Sequence, residues 1–344
     1  MLLVADVGGT NTTVALLDTS GHSEYRIVEK HRVGSQEIGG LAEALFSAAE
    51  TWKISLPDVA TQLVVSAAGP VQDNRAQLTN VSWPVDGNAL RGKLEIPVSV
   101  INDFTAVCYG IPVFLESAPE KIELLPGSPA PRQTVPGDVM AVVGPGTGLG
   151  VGFLFRRRNS FQAIPSEAGH MTFAPTDETS RRLQRFLENE GPSLGWEPFV
   201  SGRGLASILS FLTSTESDPT QEALRIAGLP SQERPAAVAA AADSDPICAK
   251  AVDLFVRLLG NFCSNIAVAG LPRAGLFLAG GVTIRNPEWF EDPHGFLEAF
   301  HSNYHPSLRK TLSEIPVALV RDYAISLYGA AYYGRRRTTI PRVE

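Results

Sequence analysis

The chain has 344 residues, of which 44% are hydrophobic; this is enough to fill two cores, and the formal net charge of −7 argues against a nucleic-acid partner. Its three cysteines, Cys108, Cys248 and Cys263, form neither a Cys-x-x-Cys pair nor a zinc spacing, so the sequence reads as that of a reduced, cytosolic protein. Asp6 interrupts the opening apolar run and nothing approaches about eighteen apolar residues in a row, so neither a signal peptide nor a membrane span is expected.

The first element in chain order is a hairpin. Leu2 to Ala5 and Thr12 to Leu17 read as strands, and Asp6-Val7-Gly8-Gly9-Thr10-Asn11 joins them through a turn that bares backbone N–H groups. Glycine permits positive φ and the close approach of an anion, while the N–H groups and the Thr10 hydroxyl can donate to phosphate oxygens. Asp6 would repel phosphate directly, so its expected task is to hold Mg²⁺ through water. Taken alone, such a hairpin is more often only a turn. Leu41, Leu45, Phe46, Ala49 and Trp52 then follow helical spacing, and Leu63-Val64-Val65 supplies a short strand ending at Ala68-Gly69-Pro70. Ile96 to Ile101 is a β-branched strand whose carboxyl end delivers Asn102-Asp103, the place where open α/β sheets bind ligands. Here Asp103 could accept a hydroxyl proton during phosphoryl transfer, beside an amide able to bind a sugar hydroxyl. Either residue could equally cap a helix from Phe104 to Gly110.

A Pro- and Gly-rich stretch from Leu125 to Asp138 is expected to loop over the surface. The hairpin device then recurs, with Met140 to Val143 leading into Gly144-Pro145-Gly146-Thr147-Gly148-Leu149-Gly150 and Val151 to Phe155 leading out. A dinucleotide fingerprint would need its third glycine where Leu149 stands, opening a helix rather than a strand. The only Gly-Lys pair, Gly92-Lys93, is followed by Leu94, which removes the P-loop class. Glu167 and His170, in Pro165-Ser-Glu-Ala-Gly-His170, read by themselves as a solvated helix face or a metal half-site, and no further His or Cys sits at ligand spacing. Glu197, in Trp196-Glu197-Pro198, could be only a helix start. Asp245-Pro246 reads as N-cap plus first-turn proline of a long helix carrying Val252, Phe255, Leu259, Phe262 and Ile266, ending near Gly270. Ala279-Gly280-Gly281-Val282 is either a strand-to-helix turn or a place where backbone packs flat against a base or ribose. Arg156-Arg157-Arg158 and Arg335-Arg336-Arg337 read as a solvated turn and tail, and the segment from Thr213 to Pro235 matches no motif.

Together these residues resemble the bacterial glucokinases of the actin-like ATPase superfamily, which also contains hexokinase, glycerol kinase and the heat-shock ATPases. The resemblance runs in family order over nearly the whole chain. It takes in the Asp-x-Gly-Gly-Thr turn, Ala68-Gly69-Pro70, Leu78-Thr79-Asn80-x-x-Trp83, Ile101-Asn102-Asp103-Phe104-Thr105-Ala106, the second hairpin, Ser166-Glu-Ala-Gly-His170, Ser201-Gly202-x-Gly204-Leu205 and Ala279-Gly280-Gly281. Ala168 departs from the family's usual glycine, and the lack of a Cys-rich zinc motif sets the chain apart from the related repressor/open-reading-frame/kinase group. The resemblance implies an α/β fold of two actin-like domains, each a ribonuclease-H-like βαβ unit, with a cleft between a small domain (1–112 plus 324–344) and a large one (113–323). It implies ATP and Mg²⁺, phosphoryl transfer to the 6-hydroxyl of glucose, and a homodimer. It makes Asp103 the catalytic base, and gives the sugar to Asn80, Asn102, Asp103, Glu167, His170 and Glu197. It gives the nucleotide to Asp6, Gly8, Gly9, Thr10, Asn11, Gly146, Thr147, Gly148, Gly280 and Gly281, with Asp6 on the metal side. A kinase for another hexose or an N-acetylated amino sugar stays open, as does a donor other than ATP. A non-catalytic sugar-sensing regulator would usually carry a DNA-binding segment ahead of the first hairpin, for which no room exists before Leu2. A glycoside hydrolase would leave both hairpins unexplained.

Overall fold

The computed structural model describes residues 1–21, 24–78, 81–191, 195–292, 294–303 and 305–339. The chain divides into two compact units, one of Met1–Ile122, Phe161–Ala163 and Asp322–Glu344, the other of Glu123–Ser160 and Ile164–Arg321.

Period-two alternation in the first strand organises the first unit. Strands β1 (Leu2–Val7), β2 (Asn11–Asp18), β3 (Arg26–Gly34), β4 (Leu63–Ala67) and β5 (Val98–Asn102) form a sheet in the order β3-β2-β1-β4-β5. The β1–β2 and β2–β3 pairs are antiparallel, and the β1–β4 and β4–β5 pairs are parallel. Leu3, Ala5 and Val7 enter a core shared with the helix Leu41–Trp52. Leu2 and Val4 enter another, made with the helices Asp103–Ser117 and Ile325–Thr339. With both faces covered, β4 is an uninterrupted buried run, as parallel strands under helices must be. The same parity puts Asp6 on the face of Leu2 and Val4.

The helix that follows β5 reaches Ser117 rather than stopping near Gly110, although Pro112 lies inside it. A proline there removes one helical hydrogen bond. Burial of Ile111, Pro112, Val113 and Phe114 offsets that loss. This helix meets Ile325–Thr339 backbone to backbone, since a Cβ on Gly329 would lie 1.8 Å from the Ala106 carbonyl oxygen. That close crossing sets Ser326 beside β1. Arg335 and Arg336 are not a solvated tail. They belong to the same helix, with their guanidinium carbons 5.6 and 5.8 Å from the ring centres of Tyr25 and Tyr332.

The second unit repeats the path. Strands β6 (Ile122–Leu124), β7 (Val139–Pro145), β8 (Leu149–Arg156), β9 (Phe161–Ser166), β10 (Leu276–Leu278) and β11 (Val317–Val320) form a sheet in the order β9-β8-β7-β10-β11-β6. Without β6 this is the first sheet again: a hairpin, then two strands added in parallel. Residues 125–138 form neither helix nor strand. The helix Pro246–Gly270 runs through the main core, opened by Asp245, whose Oδ1 accepts from the N–H groups of Ile247 and Cys248 at 3.0 and 2.9 Å. Among the described residues it alone is long and apolar enough to cross a membrane, yet 72% of its apolar window is buried, which makes it a core helix. Residues 213–235 include the helix Gln221–Ala227, whose Ala223 and Ile226 join the same core.

Candidate active site

The first hairpin is braced from beneath. Gly8 N–H donates to the Asn11 carbonyl at 3.0 Å, closing the turn. Buried Ser35 donates its hydroxyl to the Gly8 carbonyl at 2.7 Å and its N–H to the Thr10 carbonyl at 2.9 Å, and its oxygen lies 2.9 Å from that of Thr12. Ser35 is held in turn by the indole N–H of Trp83, which donates to its carbonyl at 3.1 Å. The Gly8, Thr10 and Asn11 carbonyls and the Gly8 N–H are thereby engaged within the fold. Positive φ is not what the glycines supply here: Gly8, Gly9, Gly146 and Gly148 are absent from the residues with positive φ. At Gly148 space is a reason, because a Cβ there would lie 2.7 Å from Glu197 Oε2 and push that carboxylate aside, whereas a Cβ on Gly146 would meet nothing closer than 3.9 Å. Thr79 and Asn80, the latter expected at the sugar, lie outside the described residues.

Two carboxylates meet beneath this hairpin. Asp6 is half-buried, and its oxygens accept from the hydroxyls of Ser66 at 3.0 Å and Ser326 at 2.9 Å. Burial raises its pKa, against the lowering effect of the two serines. Asp103 is pushed up to about 6, chiefly by burial and also by the charge of Asp6, against a hydrogen bond from Phe104 N–H. Both bonds it accepts fall on Oδ1, from Phe104 N–H at 2.8 Å and from Asn102 Nδ2 at 3.0 Å. Asn102 caps the helix, its Oδ1 accepting from Thr105 N–H at 3.1 Å. Its amide also donates to the carbonyl of Gly69 at 3.0 Å. Asn102 thus has both amide protons engaged, and its place is that of a brace for Asp103. The Ala68-Gly69-Pro70 motif has its physical role here, since Gly69 adopts φ +119° to turn that carbonyl inward.

A divalent cation suits this pair. Two half-buried carboxylates, one of which raises the pKa of the other, are the arrangement a positive charge would relieve. Among the described residues no group of three or more His, Cys, Asp and Glu is spaced to hold a metal. A cation at Asp6 would therefore take its other oxygens from water and phosphate, which is the habit of Mg²⁺.

In the second unit Leu149, at the exit of the second hairpin, gathers the other candidates. Glu197 opens the short helix Glu197–Val200 and accepts from Leu149 N–H at 3.3 Å through Oε2, while Arg203 donates to its Oε1. The neighbouring aromatics fix that helix: Phe173 stacks on Phe199 with centroids 3.6 Å apart, and Trp196 packs against Phe173 and Phe262. The turn Ala168–His170 approaches from the other side, where a Cβ on Gly169 would lie 2.1 Å from the Leu149 carbonyl. Glu167 and His170 are exposed, with Nε2 and Oε2 3.9 Å apart. Ala168 replaces the first glycine of the expected Gly-Gly-His, while Gly169, the glycine that the backbone contact requires, is kept.

Gly146 N–H donates to the Gly148 carbonyl at 2.8 Å, and Gly202 N–H donates to the Gly146 carbonyl at 2.8 Å. Beside this turn lies a cavity of about 650 Å³ lined by Gly146, Thr147, Gly202, Arg203, Ser231, Gln232, Pro235, Gly281, Arg285, Asn286 and Trp289, a size within the range of small-ligand sites. Gly281 begins the helix Gly281–Arg285, so the Ala-Gly-Gly segment is a strand-to-helix turn and a cavity wall at once. Gly280 does not line it; a Cβ there would lie 2.2 Å from the Pro145 carbonyl, so this glycine packs the helix start onto β7. Sequence reasoning missed Ser35, Ser66, Ser326, Arg203, Arg285 and Trp289, none of which stands in a motif by side-chain type. Ser231, Gln232 and Pro235 come from the segment that matched nothing.

The family model described as Glucokinase matches residues 3–337. A glucokinase of Nostoc sp. (strain PCC 7120) is 33% identical over 98% of this chain and 99% of its own. Among solved structures, a glucokinase from an Antarctic psychrotroph is similar with TM-score 0.79 and 26% identity, covering 97% of this chain and 98% of its own. A glucokinase from Balamuthia mandrillaris, solved with glucose, shares the fold with TM-score 0.75 at 22% identity, covering 97% and 93%.

Proposed function

The chain belongs to the Glucokinase family, and on that premise we propose that it transfers the γ-phosphoryl group of ATP to the 6-hydroxyl of glucose, with Asp103 as the base. The observation that carries this reading is Asp103 itself: a half-buried carboxylate at the end of a parallel strand, its pKa pushed up to about 6, with Oδ1 held by Phe104 N–H and Asn102 Nδ2. Its Oδ2 is the oxygen able to accept the hydroxyl proton. Phosphoryl transfer passes through a loose transition state, so orienting the hydroxyl is as much of the task as removing its proton. Asn102 and Phe104 N–H hold the carboxylate for that purpose.

In this reading the N–H groups of Gly9, Thr10 and Asn11 and those of Thr147 and Gly148 donate to the polyphosphate, while Gly8 and Gly146, whose own N–H groups close their turns, let the phosphates approach the backbone. The adenosine occupies the cavity bounded by Gly281, with Gly280 supporting its wall. Mg²⁺ held on the side of Asp6 would neutralise phosphate charge. Asn80, Glu167, His170 and Glu197 take the sugar hydroxyls, for which carboxylates and neutral imidazole are suited acceptors, and Asn102, its amide protons engaged, serves the sugar by bracing Asp103. The two-domain actin-like architecture with its cleft belongs to the proposal too. The division into 1–112 plus 324–344 and 113–323 would assign Asp103 to one domain and Glu167, His170 and Glu197 to the other. A cytoplasmic homodimer without membrane or nucleic-acid partners completes the reading. A matrix of initial rates over phosphoryl donors and sugars tests it. Glucose with ATP should give the highest rate, and a higher kcat/KM for mannose, fructose or an N-acetylated amino sugar would replace the substrate.

A further inference from the structure

The x of Ser201-Gly202-x-Gly204-Leu205 is Arg203, and it stands in two places at once. Its guanidinium donates to Glu197 Oε1, and the residue is part of the wall of the cavity beside Gly146 and Thr147. Glu197 is nearly buried, with 16% of its side chain exposed, whereas Arg203 is 68% exposed. The carboxylate is thus the fixed partner and the arginine the movable one. A guanidinium offers five donors in a planar fork and can grip a carboxylate and a phosphate together, which a lysine cannot do in the same way.

We propose that Arg203 is a positioning residue that couples sugar binding to nucleotide binding, one edge of its fork on Glu197 and the other on the polyphosphate. This rests on the reading that Glu197 takes the sugar and the cavity takes the nucleotide. A long, exposed arginine loses rotamer freedom when it is fixed at both ends. Whichever ligand binds first fixes it, so the second ligand binds to a site already ordered. Bound phosphate also draws part of the guanidinium's donor capacity away from Glu197 Oε1, which frees that oxygen for a sugar hydroxyl. Both effects have the same sign: each ligand tightens the other, and by the same factor.

The test is calorimetric titration of glucose with and without the Mg²⁺ complex of a non-hydrolysable ATP analogue, and of the analogue with and without glucose. The unsubstituted protein should show coupling of at least about five-fold in both directions. Arg203→Ala should reduce it to below about two-fold while the melting temperature is kept, as expected for an exposed side chain. Arg203→Lys, which retains the charge without the fork, should fall between. A merely structural role would shift each binary affinity and leave the ratio untouched. Equal coupling in Arg203→Ala and the unsubstituted protein overturns the proposal, as does an unsubstituted protein without coupling. Failure of that protein to phosphorylate glucose with ATP would instead overturn the functional reading beneath it.

Discussion

Asp103→Asn separates chemistry from stability. The substitution keeps shape, and its Oδ1 can still accept from Phe104 N–H and Asn102 Nδ2, so glucose affinity should change little. Loss of the proton acceptor should lower kcat by about 10²-fold or more. With the Asp103 pKa near 6, kcat/KM for glucose in the unsubstituted enzyme should fall about ten-fold from pH 7.5 to pH 5, and the variant should lack this acid limb. Stability moves oppositely. The folded pKa lies above the ordinary 3.8, so burial of Asp103 costs nothing well below that value, and the penalty builds as pH rises from 3.8 to about 6 and is complete above it. Roughly two units at ~1.4 kcal/mol each give a penalty of at most ~3 kcal/mol at pH 7.5. Asp103→Asn should therefore melt several degrees higher at pH 7.5 and only slightly higher at pH 4. Steady-state rates and calorimetric melting at both pH values check this. Turnover above a tenth of normal, or equal stabilisation at both pH values, refutes the reasoning.

Ser326→Ala removes a donor to Asp6, so half-saturation with Mg²⁺ should rise several-fold with a stability loss of ~1 kcal/mol, read from metal titration of activity and thermal melts. An unchanged Mg²⁺ requirement would take Asp6 off the metal side. Gly169→Ala drives a methyl into the Leu149 carbonyl and must displace Glu167 and His170, so KM for glucose should rise about ten-fold or more while KM for ATP moves less. Equal shifts in both constants would count against a sugar role for this turn. Saturating glucose should shrink the radius of gyration in solution scattering, and Glu167→Ala should weaken the change; superimposable curves would sink the idea that one hexose engages both domains.

What was legible followed from backbone regularities. The hairpins, β4 and the helices Leu41–Trp52 and Pro246–Gly270 were readable because period-two and 3.6-residue patterns and the Asp245-Pro246 cap are local signals. The helix end at Ser117 was hidden because a buried proline overrides a local rule, and the roles of Arg335 and Arg336 because Tyr25 and the Phe161 carbonyl, which they respectively meet, lie far away in sequence. At the site, motif glycines and acids were visible by their type. Their supports were not, since Ser35, Ser66 and Ser326 are ordinary serines until the fold carries them to Gly8 and Asp6. The same holds for Arg203, which no spacing rule marks.

The most direct measurement follows the fate of the phosphoryl group. The protein, ATP, Mg²⁺ and carbon-13 glucose are monitored together by phosphorus and carbon NMR. The account predicts glucose 6-phosphate and ADP formed one for one, with phosphorus coupled to C6 and no free phosphate ahead of it. Phosphorus on another carbon, ADP formed without sugar phosphate, or no turnover at all would contradict it.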